Sequence, residues 1–164
     1  MTNADSIDPV LYRNAMSRYA GHVQIVTTAH GPERRGVTVT AACSISDHPA
    51  SVLVCVNAGN PSNALFEESG RFALNTLAAH HKPLAEAFAG IGKLPVEERF
   101  ARAEWIALAT GAPVLADALA VFDCSLVEAK VVATHTILIG RVEALHFGPL
   151  NPALIYFERA FKAL

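Results

Sequence analysis

The sequence lacks paired cysteines and any clustered set of metal-ligating residues. Its three cysteines, Cys43, Cys55 and Cys124, lie far apart and form no C-x-x-C. Neither a disulfide framework nor a zinc knuckle is indicated, and reduced, buried thiols are expected instead. The seven histidines are scattered, and the adjacent His80 and His81 are expected to point apart on a helix or strand. No metal site is therefore predicted.

An excess of basic residues and a long apolar run are also missing. Lys and Arg number 13 against 15 Asp and Glu, for a net charge of −2, so no basic field is available to hold nucleic acid by its phosphates. No apolar run reaches the length of a membrane span. The acidic, polar start MTNADSIDP is unlike a signal peptide. A cytoplasmic protein that binds neither nucleic acid nor membrane is expected.

Several nucleotide-binding and hydrolytic signatures are absent as well. The sequence has no G-x-G-x-x-G after a strand, no G-x-x-x-x-G-K-[ST], no H-E-x-x-H and no G-x-S-x-G. A Rossmann site, a P-loop, a zincin and a nucleophile elbow are thus unsupported. Hydrophobic residues make up 52% of the chain and charged residues 17%, which excludes a disordered chain and predicts a subunit interface.

Strands dominate the secondary structure that the sequence predicts. Alternating or β-branched segments predict strands at 22–29, 36–46, 51–57, 71–77, 118–132 and 135–145, the third of them buried on both faces. Capping residues and apolar spacing predict short helices at 8–20, 60–70 and 81–90, whereas 92–110 fits neither pattern. Hairpin-length turns favour a mainly β fold, an antiparallel barrel with flanking helices. Residues 1–164 are expected to form one domain.

The predicted strand at 36–46 offers an unusually small, hydroxyl-rich surface. Its small or hydroxyl-bearing side chains are Thr38, Thr40, Ala41, Ala42, Ser44 and Ser46. Such a wall lets a flat ligand approach the backbone, and its hydroxyls and free N–H groups can bond the polar rim of a ring such as a flavin. This stretch alone favours the simpler interpretation, which is an ordinary barrel strand with threonines facing solvent.

A second polar feature follows the next predicted strand. Asn60-Pro61-Ser62-Asn63 begins a helix, and the unpaired N–H groups and partial positive charge of a helix start suit a phosphate. Simple capping by Asn60 is the alternative. Capping accounts less well for the polar residues that follow it.

Four segments occur in order and cover nearly the whole chain. They read GVTVTAACSISDHPASVLVCVNAGNPSNALFEESGRFALNTLAAHHKPLAEAFAG, TGAPVLADALAVFDCSL, THTILIGRVEAL and ALIYFERAF. This ordered set resembles the flavin reductase family with the FMN-binding split-barrel fold, the small reductase components of two-component flavin monooxygenases. The resemblance implies a Greek-key-like antiparallel split barrel that assembles as a homodimer.

The resemblance also implies an activity, which is hydride transfer from NADH or NADPH to FMN or FAD. The reduced flavin would pass to a partner flavin-dependent monooxygenase. Two alternatives stay open. One is a split-barrel flavoprotein, like pyridoxamine-phosphate oxidase, that retains its FMN for another redox task. The other is a non-enzymatic module that binds flavin or haem.

The resemblance assigns the flavin-binding residues by position. Contacts with the ring are implied for Thr38, Val39, Thr40, Ala41, Cys43, Ser44 and Ser46, and contacts with the phosphate for Asn57, Ser62 and Asn63. The family usually has a basic or serine-rich stretch near the phosphate. This chain has Ala58-Gly59-Asn60-Pro61 there instead, so the choice between FMN and FAD stays open.

The nucleotide-binding residues come from the late strands and the tail. The family's G-D-H motif places a histidine near the nicotinamide, and this chain keeps only the histidine, as His135. His135 is the candidate catalytic residue, with the role of orienting the carboxamide; the alternative is a histidine at the barrel rim. Tyr156, Arg159 and Phe161 match the family's tail and would close over the nucleotide. Alternatively, the tail packs on its own barrel or on the partner subunit.

Overall fold

The computed structural model describes residues 6–164, in which antiparallel strands dominate. The strands are β1 (Gly21–His22), β2 (Gln24–His30), β3 (Glu33–Val39), β4 (Ala42–Asp47), β5 (Ala50–Asn57), β6 (Arg71–Thr76), β7 (Trp105–Ala107), β8 (Pro113–Leu115), β9 (Ala120–Val132), β10 (His135–His146), β11 (Leu154–Phe157) and β12 (Ala160–Ala163). The α-helices are α1 (Pro9–Met16), α2 (Leu65–Ser69), α3 (Lys82–Phe88) and α4 (Val96–Phe100), and single 3₁₀ turns at Pro61–Ala64 and Ala79–His81 precede α2 and α3.

Seven of the strands form one antiparallel sheet in the order β3-β2-β6-β9-β10-β5-β4. β3 pairs with β2, whereas β4 pairs with β5. The chain therefore changes partner at Thr40–Ala41, where the Cys55 N–H donates to the Ala41 carbonyl at 2.9 Å. This exchange closes the sheet into a barrel. The prediction of a mainly β fold with an antiparallel barrel and flanking helices is confirmed.

Two buried clusters stabilise the fold. The first fills the barrel interior with Val26, Val39, Val52, Val54, Val56, Phe66, Phe72, Leu74, Cys124 and Leu138. The second lies between the outer face of the sheet and the helices α3 and α4, and it includes Val23, Ile25, Leu77, Leu84, Phe88 and Phe100. Strands β2 and β6 supply residues to both clusters because successive side chains of a strand point to opposite faces.

A close contact fixes α3 against the middle of β3. A Cβ atom placed on Gly36 would lie 2.4 Å from Cε1 of Phe88, so only a glycine leaves room for this ring. Two residues further on, the Thr38 hydroxyl donates to the Ala85 carbonyl at 2.6 Å. The glycine and the hydroxyl together set the position of α3 beside the predicted ligand wall.

Several predicted elements have different bounds in the structure. The strand predicted at 36–46 is two strands, because the exchange of partners at Thr40–Ala41 interrupts it. The helix predicted at 8–20 ends at Met16. None of its residues is buried, so no contact with the core stabilises further helical turns. The segment 60–70 divides into a 3₁₀ turn and α2. In 92–110, which fits neither pattern, α4 and β7 form.

Two expectations about burial also need correction. Strand β5 alternates: Val52, Val54 and Val56 are buried, while the residues between them are only half-buried. It therefore has one core face rather than two. Of the three thiols, only Cys124 is buried, since Cys43 is exposed and Cys55 is intermediate.

The longest described helix has eight residues, and no described helix is long and apolar enough to cross a membrane. Most of the polar start that argues against a signal peptide falls in residues 1–5. Those residues lie outside the described part of the chain.

Candidate functional site

A cleft opens where the chain passes from β3 to β4, and we call it the corner cleft. It has a volume of about 370 Å³ and is lined by Arg13, Met16, Ser17, Tyr19, Gly21, Thr40, Ala41, Tyr156 and Arg159. Four of the predicted ligand residues, from two distant parts of the sequence, thus meet here. Thr40 and Ala41 form one wall, and both are exposed.

The tail reaches the corner cleft through a tight turn between β11 and β12. Glu158 and Arg159 form this turn with left-handed φ values of 49° and 59°, a strained conformation for residues other than glycine. Two contacts with the N-terminal segment hold it: the Glu158 N–H donates to the Ser17 carbonyl at 2.6 Å, and Arg159 donates to the Asn14 amide oxygen at 2.5 Å. Phe161 packs edge-on against Tyr156, with ring centroids 5.2 Å apart. The turn therefore presents Arg159 to the cleft.

The remaining residues of the predicted ring wall point elsewhere. Thr38 uses its hydroxyl to bind α3, and the Val39 side chain is part of the barrel interior. Cys43, Ser44 and Ser46 line a separate pocket of about 320 Å³ at the barrel mouth, next to Gln24, Leu74 and Phe122. The sequence predicts one continuous wall, whereas the structure divides it between the corner cleft and the barrel mouth.

The predicted phosphate residues lie where β3 runs beside the end of β5, and we call this region the seam. It contains Asn57, Ser62 and Asn63 and, from β3, Arg35. Asn57 is exposed and pairs in register with His135 of β10. Asn63 is buried, and its amide donates to the Asn57 carbonyl at 2.8 Å. The Asn60 side chain accepts the Ser62 N–H at 3.1 Å, so the predicted capping role of Asn60 is confirmed.

His135 begins β10 and is exposed. Its Nδ1 lies 2.9 Å from the Thr134 hydroxyl, which fixes the ring at the start of the strand. Because β10 pairs with β5, His135 lies beside Asn57 rather than in the corner cleft.

An arginine of β3, Arg35, joins this seam, although it belongs to none of the sequence motifs above. Arg35 Nε donates to the Asn63 side-chain oxygen at 2.9 Å. A recess of about 400 Å³ lies beside it and is also lined by Arg34, Ser62 and Glu97. The only signal in the sequence is the run E-R-R before Gly36, and its position between two strands is typical of a solvated turn.

His80 and His81 do not point apart as expected. Their ring centroids are 3.9 Å apart, and the Nε2 atoms of both lie 3.0 Å from the Asp117 carboxylate, because the two residues share a 3₁₀ turn. Nδ1 of the buried His81 accepts the Ala78 N–H at 3.0 Å. The proton of the neutral ring is then on Nε2, which faces Asp117 off the line of a good hydrogen bond. No lone pair of His81 is free for a metal ion.

The stability of the protein should fall as the pH drops below about 6.5, and His81 is one cause. Burial, together with the positive charge of His80, holds the His81 pKa below its usual value against the opposing pull of Asp117. The unfolded chain therefore binds this proton at a higher pH than the folded chain does, and acid favours unfolding. The Asp117 pKa is also lowered, but its effect is confined to pH values near and below 4.

Urea unfolding of the wild type and of His81→Gln between pH 5 and 7.5 measures this effect. The slope of stability against pH should be shallower for the variant, by at most about 1.4 kcal/mol per pH unit, which is the limit for one proton. The other six histidines are present in both proteins, and of these only His80, whose ring lies beside that of His81, does not cancel in the comparison. Parallel slopes would assign the acid sensitivity to other groups.

The closed barrel with its small-residue corner is that of a flavin reductase-like split barrel. The chain belongs to the flavin reductase-like family, since the model of the flavin reductase like domain matches residues 16–164. The match includes every strand of the described residues. Of the corner cleft, only Arg13 lies before it.

Relatives and solved structures agree with this membership. FMN reductase (NADH) RutF of Agrobacterium fabrum is 46% identical over 153 residues, which are 93% of this chain and 87% of the relative. A protein of Haemophilus somnus assigned as a flavin reductase shares 37% identity and a TM-score of 0.92, over 96% of this chain and 100% of that one. BorF, the flavin reductase component of a bacterial two-component tryptophan halogenase, shares 30% identity and a TM-score of 0.87, over 96% and 98%.

Proposed function

We propose that this protein, as a single domain of residues 1–164, is an NADH-dependent FMN reductase. The observation that carries the proposal is the exposed small-residue corner at Thr40–Ala41, in a chain 46% identical to an enzyme named FMN reductase (NADH). The sequence leaves FMN or FAD and NADH or NADPH open. The name of that relative favours FMN and NADH.

The corner cleft suits a flat ring. Its volume of about 370 Å³ is within the range of small-molecule sites, about 300–1,000 Å³. Ala41 adds only a methyl group to the wall and Thr40 a hydroxyl, so a ring can lie against the backbone. Tyr19 and Tyr156 offer aromatic faces on the cleft's other sides.

Flavin and nicotinamide supply the hydride chemistry themselves, so the chain needs no general base. The work left to its residues is to hold the two rings together, exclude water and place donors where negative charge develops. Thr40 can donate to the ring edge from the cleft wall. Arg159 and Tyr156 can close over a nucleotide, since the β11–β12 turn carries them to the same cleft.

The proposed assembly is a homodimer that passes reduced flavin to an oxygenase. The similarity to a reductase component of a two-component system supports the oxygenase partner. Large apolar side chains remain exposed on β9, β10 and the segment after it, namely Val127, Val131, Val132, Leu145, Phe147 and Leu150, and a second copy could cover them. Light scattering after size exclusion should give about twice 17.4 kDa. A monomer at micromolar concentration would contradict the dimer.

The activity itself is tested by following oxidation of NADH and NADPH with added FMN, FAD or riboflavin, with and without air. Turnover should be fastest with NADH and FMN. If no flavin supports oxidation of either nucleotide, the reductase proposal is wrong. Flavin that stays bound through purification and is not exchanged would point instead to a flavoprotein that retains its cofactor.

Replacing His135 by alanine should slow reduction by NADH more than it weakens FMN binding. The residue is exposed and its ring contacts Thr134 next to it, so its loss should cost little stability. Stopped-flow reduction at saturating FMN should slow about tenfold, the effect of one lost polar contact. The reverse pattern, weaker FMN binding with an unchanged rate, would remove His135 from the nicotinamide pocket.

A further inference from the structure

Arg35 and Arg34 are neighbours in β3, but only one of them is neutralised. Arg34 forms an ion pair with Glu97 and lies over the Phe100 ring, with its guanidinium carbon 4.4 Å from the ring centroid. The Arg35 Nε donates to the neutral amide of Asn63. Among residues 6–164, no carboxylate lies within ion-pair distance of Arg35.

Arg35 is less exposed to solvent than an ordinary surface arginine. Its side chain is half-buried. Burial, and then the nearby charge of Arg99, hold the pKa of Arg35 below its usual value. Glu33 and Glu97 also line the recess beside Arg35, but neither lies within ion-pair distance of it. A bound anion would stabilise a half-buried guanidinium that has no ion-pair partner.

The location of Arg35 matches one end of an extended flavin nucleotide. Arg35 comes five residues before Thr40, which corresponds to about 16 Å along a strand. A ring at the corner cleft and an extended ribityl phosphate can span such a length. The contacts of Asn63 with Arg35 and Asn57 continue the seam between the two ends, and the Ser62 side chain lines the same recess as Arg35.

We infer that Arg35 binds the phosphate of the flavin nucleotide, with the Ser62 hydroxyl as a second donor. This inference rests on the proposed flavin reductase function. The shared chemistry is a flavin phosphate, either the monoester of FMN or the diphosphate of FAD. Arg35 reaches the site from β3 and supplies the positive charge that the segment Ala58-Gly59-Asn60-Pro61 does not carry. Asn63 is then a positioning residue, because both ends of its amide are bound within the protein.

Arg35→Gln tests the inference, with FMN, FAD and riboflavin compared in phosphate-free buffer. For FMN, kcat/KM should fall about tenfold to a hundredfold, the effect of losing a charge-assisted bond. For riboflavin, which has no phosphate, it should stay within about twofold by the same reasoning. Arg35→Lys should keep part of the preference for FMN. The double variant Arg141→Gln/Glu143→Gln is the control and should keep the wild-type preference for FMN, since it removes an exposed ion pair of β10 that lines none of the recesses described above.

Titration of oxidised FMN and riboflavin by fluorescence gives the affinities independently of turnover, and circular dichroism checks that each variant folds. The FAD measurements distinguish the two sources of phosphate, because FAD is affected only if the diphosphate reaches Arg35. Equal affinity of the wild type for FMN and riboflavin, or an equal loss for both in Arg35→Gln, would overturn the inference and leave the reductase function standing. A wild type that turns over no flavin would instead refute the proposed function.

Discussion

Replacing Ala41 by phenylalanine should strongly weaken flavin binding while leaving the barrel folded. Ala41 is exposed and forms a wall of the corner cleft, so a phenyl ring there would occupy the space that the ligand needs. The backbone carbonyl of Ala41 accepts the Cys55 N–H, and a change of side chain leaves this bond in place. We expect the Kd for FMN to rise at least about a hundredfold, equivalent to about 2.7 kcal/mol.

Fluorescence titration with FMN and the rate of NADH oxidation measure the effect of Ala41→Phe. Ala101→Phe is the matched control, because Ala101 is also exposed but follows α4 and lines none of the recesses described above. The control should bind FMN like the wild type, and both variants should unfold at the same urea concentration. Wild-type affinity in Ala41→Phe would place the flavin elsewhere, with the barrel mouth as the next candidate.

The barrel strands could be predicted from the sequence because their patterns are local. The segments predicted at 71–77, 118–132 and 135–145 correspond closely to β6, β9 and β10. β10 alternates because one of its faces is on the core, whereas β6 is an apolar run that is buried on both faces. The interruption at Thr40–Ala41 could not be predicted in this way. Both sides of it are extended and alternate, and only pairing with two different strands, β2 and β5, separates them.

In the candidate site, too, the residue types could be predicted from the sequence, but the contacts between distant residues could not. Small residues at Thr40 and Ala41 are visible in the sequence, and the structure places them in an open cleft. The contact between Arg35 and Asn63 joins residues 28 positions apart. It depends on how β3 passes the end of β5, which no local pattern encodes. The segment Ala58-Gly59-Asn60-Pro61 has no basic residue. Only the folded structure brings the positive charge of Arg35 next to the residues that follow it.

Gly36→Ala should destabilise the protein by about 3 kcal/mol, the upper end of the usual cost of overpacking. The added methyl group would lie 2.4 Å from the Phe88 ring. That ring cannot move freely, because it packs edge-on against Phe100 and Trp105, with centroids 5.0 and 5.8 Å away. Either β3 or α3 must shift, and the bond from Thr38 to α3 would be strained with them. Urea unfolding measures the loss.

The cause can be isolated with Phe88→Leu, which removes the ring that the methyl group would strike. Alone, it should cost about 1–2 kcal/mol as a large-to-small change in the core. Combined with Gly36→Ala, it should relieve most of the clash, so the double variant should be about 2 kcal/mol more stable than the sum of the single changes predicts. Additive losses would mean that Gly36 is required for its own backbone and not for the approach of α3. Because α3 packs directly on β3, which leads into the corner cleft, we expect Gly36→Ala also to weaken FMN binding. The double variant should bind FMN more tightly than Gly36→Ala alone.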